Sequence, residues 1–266
     1  MSDPSPIWIG TSGYVYRHWR QGVFYPRGLP VREELGYYAE RFNTVELNNP
    51  FYRLPTSEMF DRWRDSTPPN FRFAVKASRY ITHIKRLRDV GSELSLFLGR
   101  AERLGPKLGP ILFQLPPTQQ LEPERLKAFL ALLSPAHRWV LEFRHPSWHT
   151  PAVYRFLAKH AIALCIPVGG RLDPARITTA RFTYIRMHRG QEPGGGFTAA
   201  ELSSWAAQMR GLRRVRKEVY IYFNNDWEGY AVRDATALKE LLRPRVDARP
   251  SLPPNPAKPP TGPPIG

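Results

Sequence analysis

Eight short apolar segments recur along this chain, and stretches with helical periodicity separate them. Strands that alternate with helices are typical of a parallel sheet, because parallel neighbours need a long crossover connection. The pattern therefore predicts one α/β domain with a single TIM-barrel-like (β/α)₈ fold. The segments lie at residues 7–13, 42–48, 71–76, 111–116, 140–148, 163–168, 182–188 and 220–226.

Several of these segments end in ionisable or amide side chains. In residues 140–148, strand alternation puts Glu142 and Arg144 on the same face as Val140. A carboxylate and a guanidinium are costly to bury in an apolar layer unless each finds a partner. In a TIM barrel, functional side chains gather at the carboxyl ends of the strands. We therefore expect a site at that end of the barrel.

The same strand phase and strand ends select the other candidates. As groups that transfer protons we predict Glu46, Glu142, His145 and His188. As groups that bind substrate we predict Asn48, Lys76, Gln114, Arg144, Trp148, Arg186, Asn224, Asn225 and Asp226. The strand ends of a closed barrel share one rim, so a subset should converge into one cluster. That subset is Glu46, Lys76, Glu142, Arg144, Arg186, His188 and Asn224.

The length of 266 residues suits one barrel domain, which we place at residues 5–243. Residues 244–266 are rich in proline and lack apolar periodicity, which predicts a disordered tail with polyproline II character. No apolar run approaches the roughly 18 residues that span a bilayer, so we expect no membrane insertion. The N-terminus has no signal-peptide pattern, and the single cysteine, Cys165, lies in an apolar strand. Both observations favour a cytoplasmic protein.

The net charge of +16 favours an anionic partner, either a small molecule or a nucleic acid. A genome rich in G and C would give the same excess of arginine without a function, so both interpretations stay open. A basic cluster at residues 85–88 follows the strand that ends in Lys76, on the predicted functional face. Another, at residues 210–217, precedes the last strand, and we interpret it as solvated surface. The oligomeric state is left open.

Several motifs at these strand ends occur together in one known family. They are Gly-Thr-Ser-Gly at residues 10–13, Thr-Val-Glu-Leu-Asn at 44–48, Phe-Ala-Val-Lys-Ala-Ser at 73–78, Ile-Thr-His at 81–83, Glu-Phe-Arg-His-Pro-Ser-Trp at 142–148 and Tyr-Phe-Asn-Asn-Asp at 222–226. In this order, from about residue 7 to 242, the chain resembles the YecE-like family (domain of unknown function 72). The resemblance implies a TIM-barrel-like domain and no particular reaction. Members have been compared with barrel endonucleases that act on DNA.

The chain departs from the family pattern at three strand ends. Where many members carry an aspartate at the end of the sixth strand, this chain reads Ile-Pro-Val at residues 166–168. The usual Arg-Leu-His-Gly after the seventh strand is Arg-Met-His-Arg-Gly at residues 186–190. Asn49 and Pro50 replace a pair of small hydroxyl residues after the second strand. The missing aspartate weakens any mechanism that needs that carboxylate.

Three functions fit these residues. The first is an enzyme, a hydrolase or lyase, that acts on a phosphorylated or nucleotide-type substrate. The second is a non-catalytic module that binds nucleic acid. The third is a carbohydrate hydrolase in which Glu46 and Glu142 flank the scissile bond. Pairing of Glu142 with a base such as Lys76 or Arg186 would oppose the third function, because it holds the carboxylate ionised. A polar plug without any ligand is the structural alternative.

A divalent metal is the remaining question for the predicted site. Carboxylates and imidazoles of the types that bind metals are present, but no pair has a compact spacing such as His-x-x-x-His. Lys76, Arg144 and Arg186 would also bring positive charge to the same place. We therefore assign no metal ligands and leave the cofactor open.

Overall fold

The computed structural model describes residues 6–170, 172, 176–214 and 218–243. Within them, eight strands form one parallel sheet, whose hydrogen-bonded order is β1-β8-β7-β6-β5-β4-β3-β2. All eight predicted strands are present, although β4 starts before the predicted residue 111. The strands are β1 Ile7–Thr11, β2 Thr44–Leu47, β3 Arg72–Lys76, β4 Leu108–Gln114, β5 Trp139–Glu142, β6 Ala163–Val168, β7 Phe182–Met187 and β8 Glu218–Phe223.

The first two strands lie side by side and bring the two ends of the sheet together. In the described part of the chain, their backbone pairing is a single parallel bridge between Ser12 and Glu46. The Gly13 N–H donates to the Glu46 carbonyl there at 2.8 Å. The sheet is therefore a nearly closed barrel, which confirms the predicted TIM-barrel-like fold.

A tyrosine hydroxyl also links β1 to β2, next to this bridge on its amino-terminal side, and we call this contact between the two strands the seam. Tyr38 Oη accepts a hydrogen bond from the Thr11 N–H at 2.9 Å and donates to the Thr44 carbonyl at 3.0 Å. Gly10 allows the strands to approach, because a Cβ at that position would lie 2.1 Å from the Thr44 oxygen. The hydroxyl thus satisfies two buried backbone groups that no strand neighbour reaches.

Helices surround the barrel, and two of them begin at side-chain caps. The Thr150 hydroxyl accepts from the Val153 N–H at 3.3 Å, and Thr198 and Glu201 form a reciprocal capping box. Residues 169–170, 172 and 176–181, between β6 and β7, contain no helix where the structure describes them. The α-helices are α1 Glu34–Arg41, α2 Asn49–Tyr52, α3 Ser57–Asp65, α4 Gly91–Ala101, α5 Pro123–Leu130, α6 Pro151–Lys159, α7 Ala199–Arg214 and α8 Tyr230–Leu242.

The inward side chains of the strands fill the amino-terminal part of the barrel with aromatic rings. Trp8 stacks on Tyr220 with ring centroids 6.1 Å apart, and Tyr184 packs against Tyr222 at 5.1 Å. Cys165 belongs to the same buried cluster, as a buried small apolar residue should. Because this layer is packed, polar side chains can meet only above it, at the carboxyl ends of the strands.

The predicted proline-rich tail, residues 244–266, lies outside the described residues, so the boundaries at 5–243 and 244–266 stay predictions. No helix among the described residues has the length and apolar character needed to span a membrane.

Candidate active site

Arg186 lies at the centre of the polar layer, between two buried carboxylates. Its Nε and Nη2 donate to Glu46 at 3.1 and 2.8 Å, and its Nη1 donates to Glu142 at 2.8 Å. Only 2% of the Arg186 side chain is exposed. All three guanidinium nitrogens are thus engaged by protein groups, so this arginine organises the polar layer. The predicted contact between Arg186 and substrate stays a prediction.

Glu46 is fully occupied by its protein neighbours. Oε1 accepts from Ser12 Oγ at 2.8 Å and from Arg186, and Oε2 accepts from Tyr184 Oη at 2.6 Å and from Arg186. A carboxylate offers about four lone-pair sites, and here each is used. The acceptor sites of Glu46 are therefore occupied by protein donors, and its predicted role in proton transfer stays a prediction.

Glu142 is bound from several sides. Its Oε1 accepts from Gln114 Nε2 and from Arg144 Nε, each at 2.9 Å, while Oε2 accepts from Arg186. Burial raises the pKa of Glu142, but Arg186, His188 and Arg144 together hold that pKa well below its ordinary value. Glu142 is consequently held ionised near neutral pH, and it is poorly suited to act as a general acid.

His188 connects Glu142 to the end of β8. Asn224 Nδ2 lies 3.0 Å from His188 Nδ1, and His188 Nε2 lies 3.5 Å from Glu142 Oε1. An amide nitrogen can only donate, so in this arrangement His188 Nδ1 accepts from Asn224. The imidazole is therefore held in one orientation at the edge of the polar cluster.

Arg144 is the most open of these charged groups. Its Nε is bound to Glu142, but 40% of its side chain is exposed, and Nη2 lies 3.4 Å from His188 Nε2. A pocket of about 440 Å³ opens beside it. The walls are formed by the ends of β4 to β7 and their loops: Pro117, Glu142, Phe143, Arg144, Pro167, Gly169, Gly170, Leu172, His188 and Arg189.

Gly169 shapes the wall of this pocket. Its φ is +70°, and a Cβ would lie 1.7 Å from the Arg189 carbonyl oxygen. Only glycine adopts this backbone without strain and also permits that approach. The loops after β6 and β7 therefore close together beside Glu142.

Lys76, at the end of β3, lies at the same end of the barrel. The residue is 8% exposed, and Nζ lies 3.9 Å from the centroid of the Phe51 ring. Burial, and then the charge of Arg186, lower the pKa of Lys76 to about 8, although Glu46 and Glu142 partly oppose that shift. The structure thus brings together all seven residues that were expected to converge.

Two predicted residues of the loop after β5 take structural positions. Trp148 is fully buried, stacks on Phe143 at 4.4 Å and donates to the Gln119 carbonyl at 2.7 Å. Its contacts are with protein groups, and its predicted binding role stays a prediction. His145 caps the short turn Pro146–Trp148, because Nδ1 accepts from the Ser147 N–H at 3.2 Å.

Two predicted residues after β8 also point away from the cluster. Asn225 is buried and donates to Asp234 at 2.7 Å and to the Gly195 carbonyl at 3.2 Å. Asp226 accepts from Trp19 Nε1 at 2.8 Å and pairs with His18 at 2.8 Å. Both residues anchor neighbouring loops, and their predicted binding roles stay predictions.

Asn48 follows Glu46 at the end of β2. Its Oδ1 is buried and has no hydrogen-bond partner among the described residues. Gln114 is bound to Glu142, as described above, and supports the cluster. Of the predicted amides, Asn48 and Asn225 therefore each keep a side-chain oxygen without a partner among the described residues, and Gln114 and Asn224 orient their neighbours.

The site also contains residues that the sequence-based selection missed. Ser12 and Tyr184 bind Glu46, and the motif at residues 10–13 and the phase shared by Tyr184 and Arg186 were available signals. His83 packs edge-on against Phe51 at 5.1 Å, near Lys76. Burial, and then the charges of Lys76 and Arg79, lower the pKa of His83. Its motif, Ile-Thr-His at residues 81–83, had indicated the family but no role.

The described residues include no group of three or more His, Cys, Asp and Glu placed to hold a metal ion. Glu46 and Glu142, the two buried carboxylates, have most of their acceptor sites occupied by protein donors.

Comparisons with known proteins agree with this fold. A family model described as "Protein of unknown function DUF72" matches residues 8–260. The UPF0759 protein YunF of Bacillus subtilis is 27% identical over 278 residues, which cover 89% of this chain and 94% of that protein. The UPF0759 protein YecE of Escherichia coli is 34% identical over 145 residues, about half of each chain.

Among solved structures, a DUF72 family protein of Thermotoga maritima aligns with a TM-score of 0.77 at 29% identity. The alignment covers 89% of this chain and 98% of the other. The family match spans nearly the whole barrel and includes the strand ends that build the site. The chain therefore belongs to the DUF72 family, the YecE-like proteins.

Proposed function

We propose that this protein is an enzyme that acts on a phosphate-bearing small molecule, of phosphorylated or nucleotide type. The substrate lies in the pocket above Glu142, and its anionic group contacts Arg144. Lys76 adds positive charge at the same end of the barrel.

The open guanidinium of Arg144 carries this proposal. Its Nε is bound to Glu142, while 40% of the side chain is exposed and the residue lines the pocket. An arginine that presents such an edge binds phosphate or carboxylate through parallel hydrogen bonds. Glu142 accepts a hydrogen bond from Arg144 Nε and so fixes the direction of the guanidinium group.

The charge balance of the site supports an anionic substrate. Three cations, Arg144, Arg186 and Lys76, face two carboxylates, Glu46 and Glu142, which leaves one positive charge when Lys76 is protonated. An anionic substrate would neutralise this charge. Its interaction with these buried groups is stronger than the same interaction in water, because the effective dielectric constant is lower.

His188 is the group we assign to proton transfer. Its side chain is 11% exposed and lines the pocket, and Asn224 fixes its ring. A positioned imidazole is the most common proton carrier in enzymes. A paired-carboxylate hydrolase is less well supported, since Arg186 bridges both carboxylates and Glu142 is held ionised.

Calorimetry with inorganic phosphate and pyrophosphate tests the proposal. We expect Arg144→Gln to weaken binding about tenfold or more, because it removes a charge-assisted fork. Arg243→Gln, at the exposed pair with Glu240, is the matched control and should change nothing. Equal binding by both variants would overturn the assignment of Arg144.

The same titrations discriminate the nucleic-acid alternative. A protein that neutralises several phosphates of a duplex loses affinity steeply as salt rises, since each contact releases counterions. A pocket that holds one phosphate group should show a shallow slope. Steep salt dependence with duplex DNA, together with no binding of pyrophosphate, would favour the nucleic-acid-binding module. A screen of phosphorylated compounds for turnover then tests catalysis directly.

A further inference from the structure

Two lysines of this chain are buried to the same degree but differ in their partners. Lys76 and Lys107 are each 8% exposed. Lys107, just before β4, donates to the carbonyl oxygens of Arg64 and Thr67 and to the Thr67 hydroxyl. An ammonium group has three donors, and those of Lys107 are all used. That lysine has a structural role at the opposite end of the barrel.

Lys76 has no equivalent partners. Among the described residues, no oxygen accepts a hydrogen bond from its Nζ, and no carboxylate lies within ion-pair distance. Its contact is the Phe51 ring, 3.9 Å from Nζ to the centroid. Burying an unpaired ammonium is unfavourable, so the fold retains at this position a group that it does not itself satisfy.

We propose that Lys76 is a nucleophile that forms an imine with the carbonyl group of the substrate, a phosphorylated aldehyde or ketone. The inference rests on the proposed function, because Arg144 supplies the phosphate contact. Lysines with this surrounding, desolvated and next to other cations, are the ones that react with carbonyl compounds.

The chemical step is balanced by the substrate and water alone. The neutral amine of Lys76 attacks the carbonyl carbon, a C–N bond forms, and a proton passes from nitrogen to oxygen to give a carbinolamine. The carbinolamine then loses its hydroxyl group with the second nitrogen proton as water, which leaves the C=N bond. Burial lowers the pKa of Lys76 to about 8, so far more neutral amine is present near neutral pH than for an ordinary lysine.

The strand positions limit the size of the substrate. β4 lies between β3, which carries Lys76, and β5, which leads to Arg144. Adjacent strands are about 4.8 Å apart, so the two backbones are separated by about 10 Å. Arg144 lines the pocket, and its charge is among those that lower the pKa of Lys76, so the two charged groups lie near each other. A short phosphorylated carbonyl compound therefore fits between the amine and the guanidinium.

Reductive trapping on the full-length protein tests the inference. The protein is treated with pyridoxal 5′-phosphate, an aldehyde that bears a phosphate, and the imine is reduced with sodium borohydride and mapped by mass spectrometry. We expect Lys76 to be modified about tenfold or more faster than Lys127 at pH 7.5. The Lys127 side chain is 70% exposed and serves as the accessible control within the same protein, and Lys107 serves as the buried control. Inorganic phosphate should slow the modification of Lys76 alone.

Two variants and one analogue keep the outcomes distinct. Lys76→Arg should remove the adduct while the protein still unfolds cooperatively, which identifies the modified residue. If pyridoxal, without the phosphate, modifies Lys76 as fast and phosphate gives no protection, the proposed anion site is wrong and the nucleophile stands. If calorimetry detects phosphate binding that Arg144→Gln weakens, but Lys76 is modified no faster than Lys127 between pH 7 and pH 9, the nucleophile is wrong and the anion site stands.

Discussion

Arg186 donates two parallel hydrogen bonds to Glu46, from Nε to Oε2 at 3.1 Å and from Nη2 to Oε1 at 2.8 Å. Both side chains are almost fully buried. The pair joins β7 to β2 across the barrel, and the third nitrogen of Arg186 extends the link to Glu142 on β5. Three strands are therefore held by one guanidinium just below the pocket.

Arg186→Ala should lower the free energy of unfolding by about 3–5 kcal/mol, because it leaves two buried carboxylates without their cation. Urea denaturation at neutral pH measures this loss. Arg243→Ala removes an exposed partner of Glu240 and should cost less than about 1 kcal/mol. A loss below about 1 kcal/mol for Arg186→Ala would contradict a tightly coupled cluster. If Arg186→Ala reduces stability and leaves phosphate binding intact, Arg186 supports the fold and not the anion site.

Glu142 should make the protein sensitive to acid. Its pKa is lower in the folded state than the ordinary 4.5, so the stabilisation is complete above about pH 4.5 and is lost as the pH falls further. Glu142→Gln should therefore be less stable at pH 7 and should lose less stability on acidification. Denaturation curves from pH 7 to pH 3 test this. Glu124→Gln, which changes a side chain that is 89% exposed, should leave the profile unchanged.

Lys76→Met should stabilise the protein at pH 7 by about 1–3 kcal/mol, because the folded state no longer buries an unpaired ammonium. The pKa of Lys76 is about 8 when folded and 10.5 ordinarily, so the folded wild type binds fewer protons between these values. Wild-type stability should thus rise across that window, and the difference between the two proteins should shrink. Lys107→Met is the matched control and should destabilise, since it strips the donor from the acceptors of Arg64 and Thr67. A destabilised Lys76→Met variant would mean that Lys76 has a stabilising partner.

Tyr38→Phe should cost about 1–3 kcal/mol, because the Thr11 N–H and the Thr44 carbonyl would lose a buried partner. Amide exchange at Thr11 should also accelerate, which locates the effect at the seam between β1 and β2. Tyr37→Phe removes a neighbouring hydroxyl that makes no hydrogen bond within the described chain, and it should be nearly neutral. Equal costs for the two variants would show that the seam does not depend on the Tyr38 hydroxyl.

The period-two alternation of the strands was sufficient to predict which residues share the inner face. Glu142 and Arg144 lie together for that reason, and Lys76 and Arg186 follow the same rule on β3 and β7. Alternation is a local property of extended backbone, so it survives any arrangement of the helices outside. The family motifs, read in order, led to the same barrel.

The roles of these residues could not be predicted in the same way. Trp148 and Asn225 follow strands directly, yet their loops turn back and bury them against Phe143 and Asp234. The direction of a loop depends on contacts with other loops, which no strand pattern contains. The engagement of Arg186 likewise depends on carboxylates from strands far away in the sequence.

The sequence alone was enough to predict the order of strands and helices, the face of the strand on which each polar side chain lies, and the protein family. Local periodicity and start signals act over a few residues and are therefore readable from the chain. Which charges neutralise each other depends on the tertiary structure. Arg186 pairs with two carboxylates, and Arg144 pairs with one carboxylate while 40% of its side chain stays exposed. Lys76 contacts the Phe51 ring and has no ion pair among the described residues. Pairing depends on distances of about 3 Å between side chains from different strands, and those distances exist only once the barrel has closed.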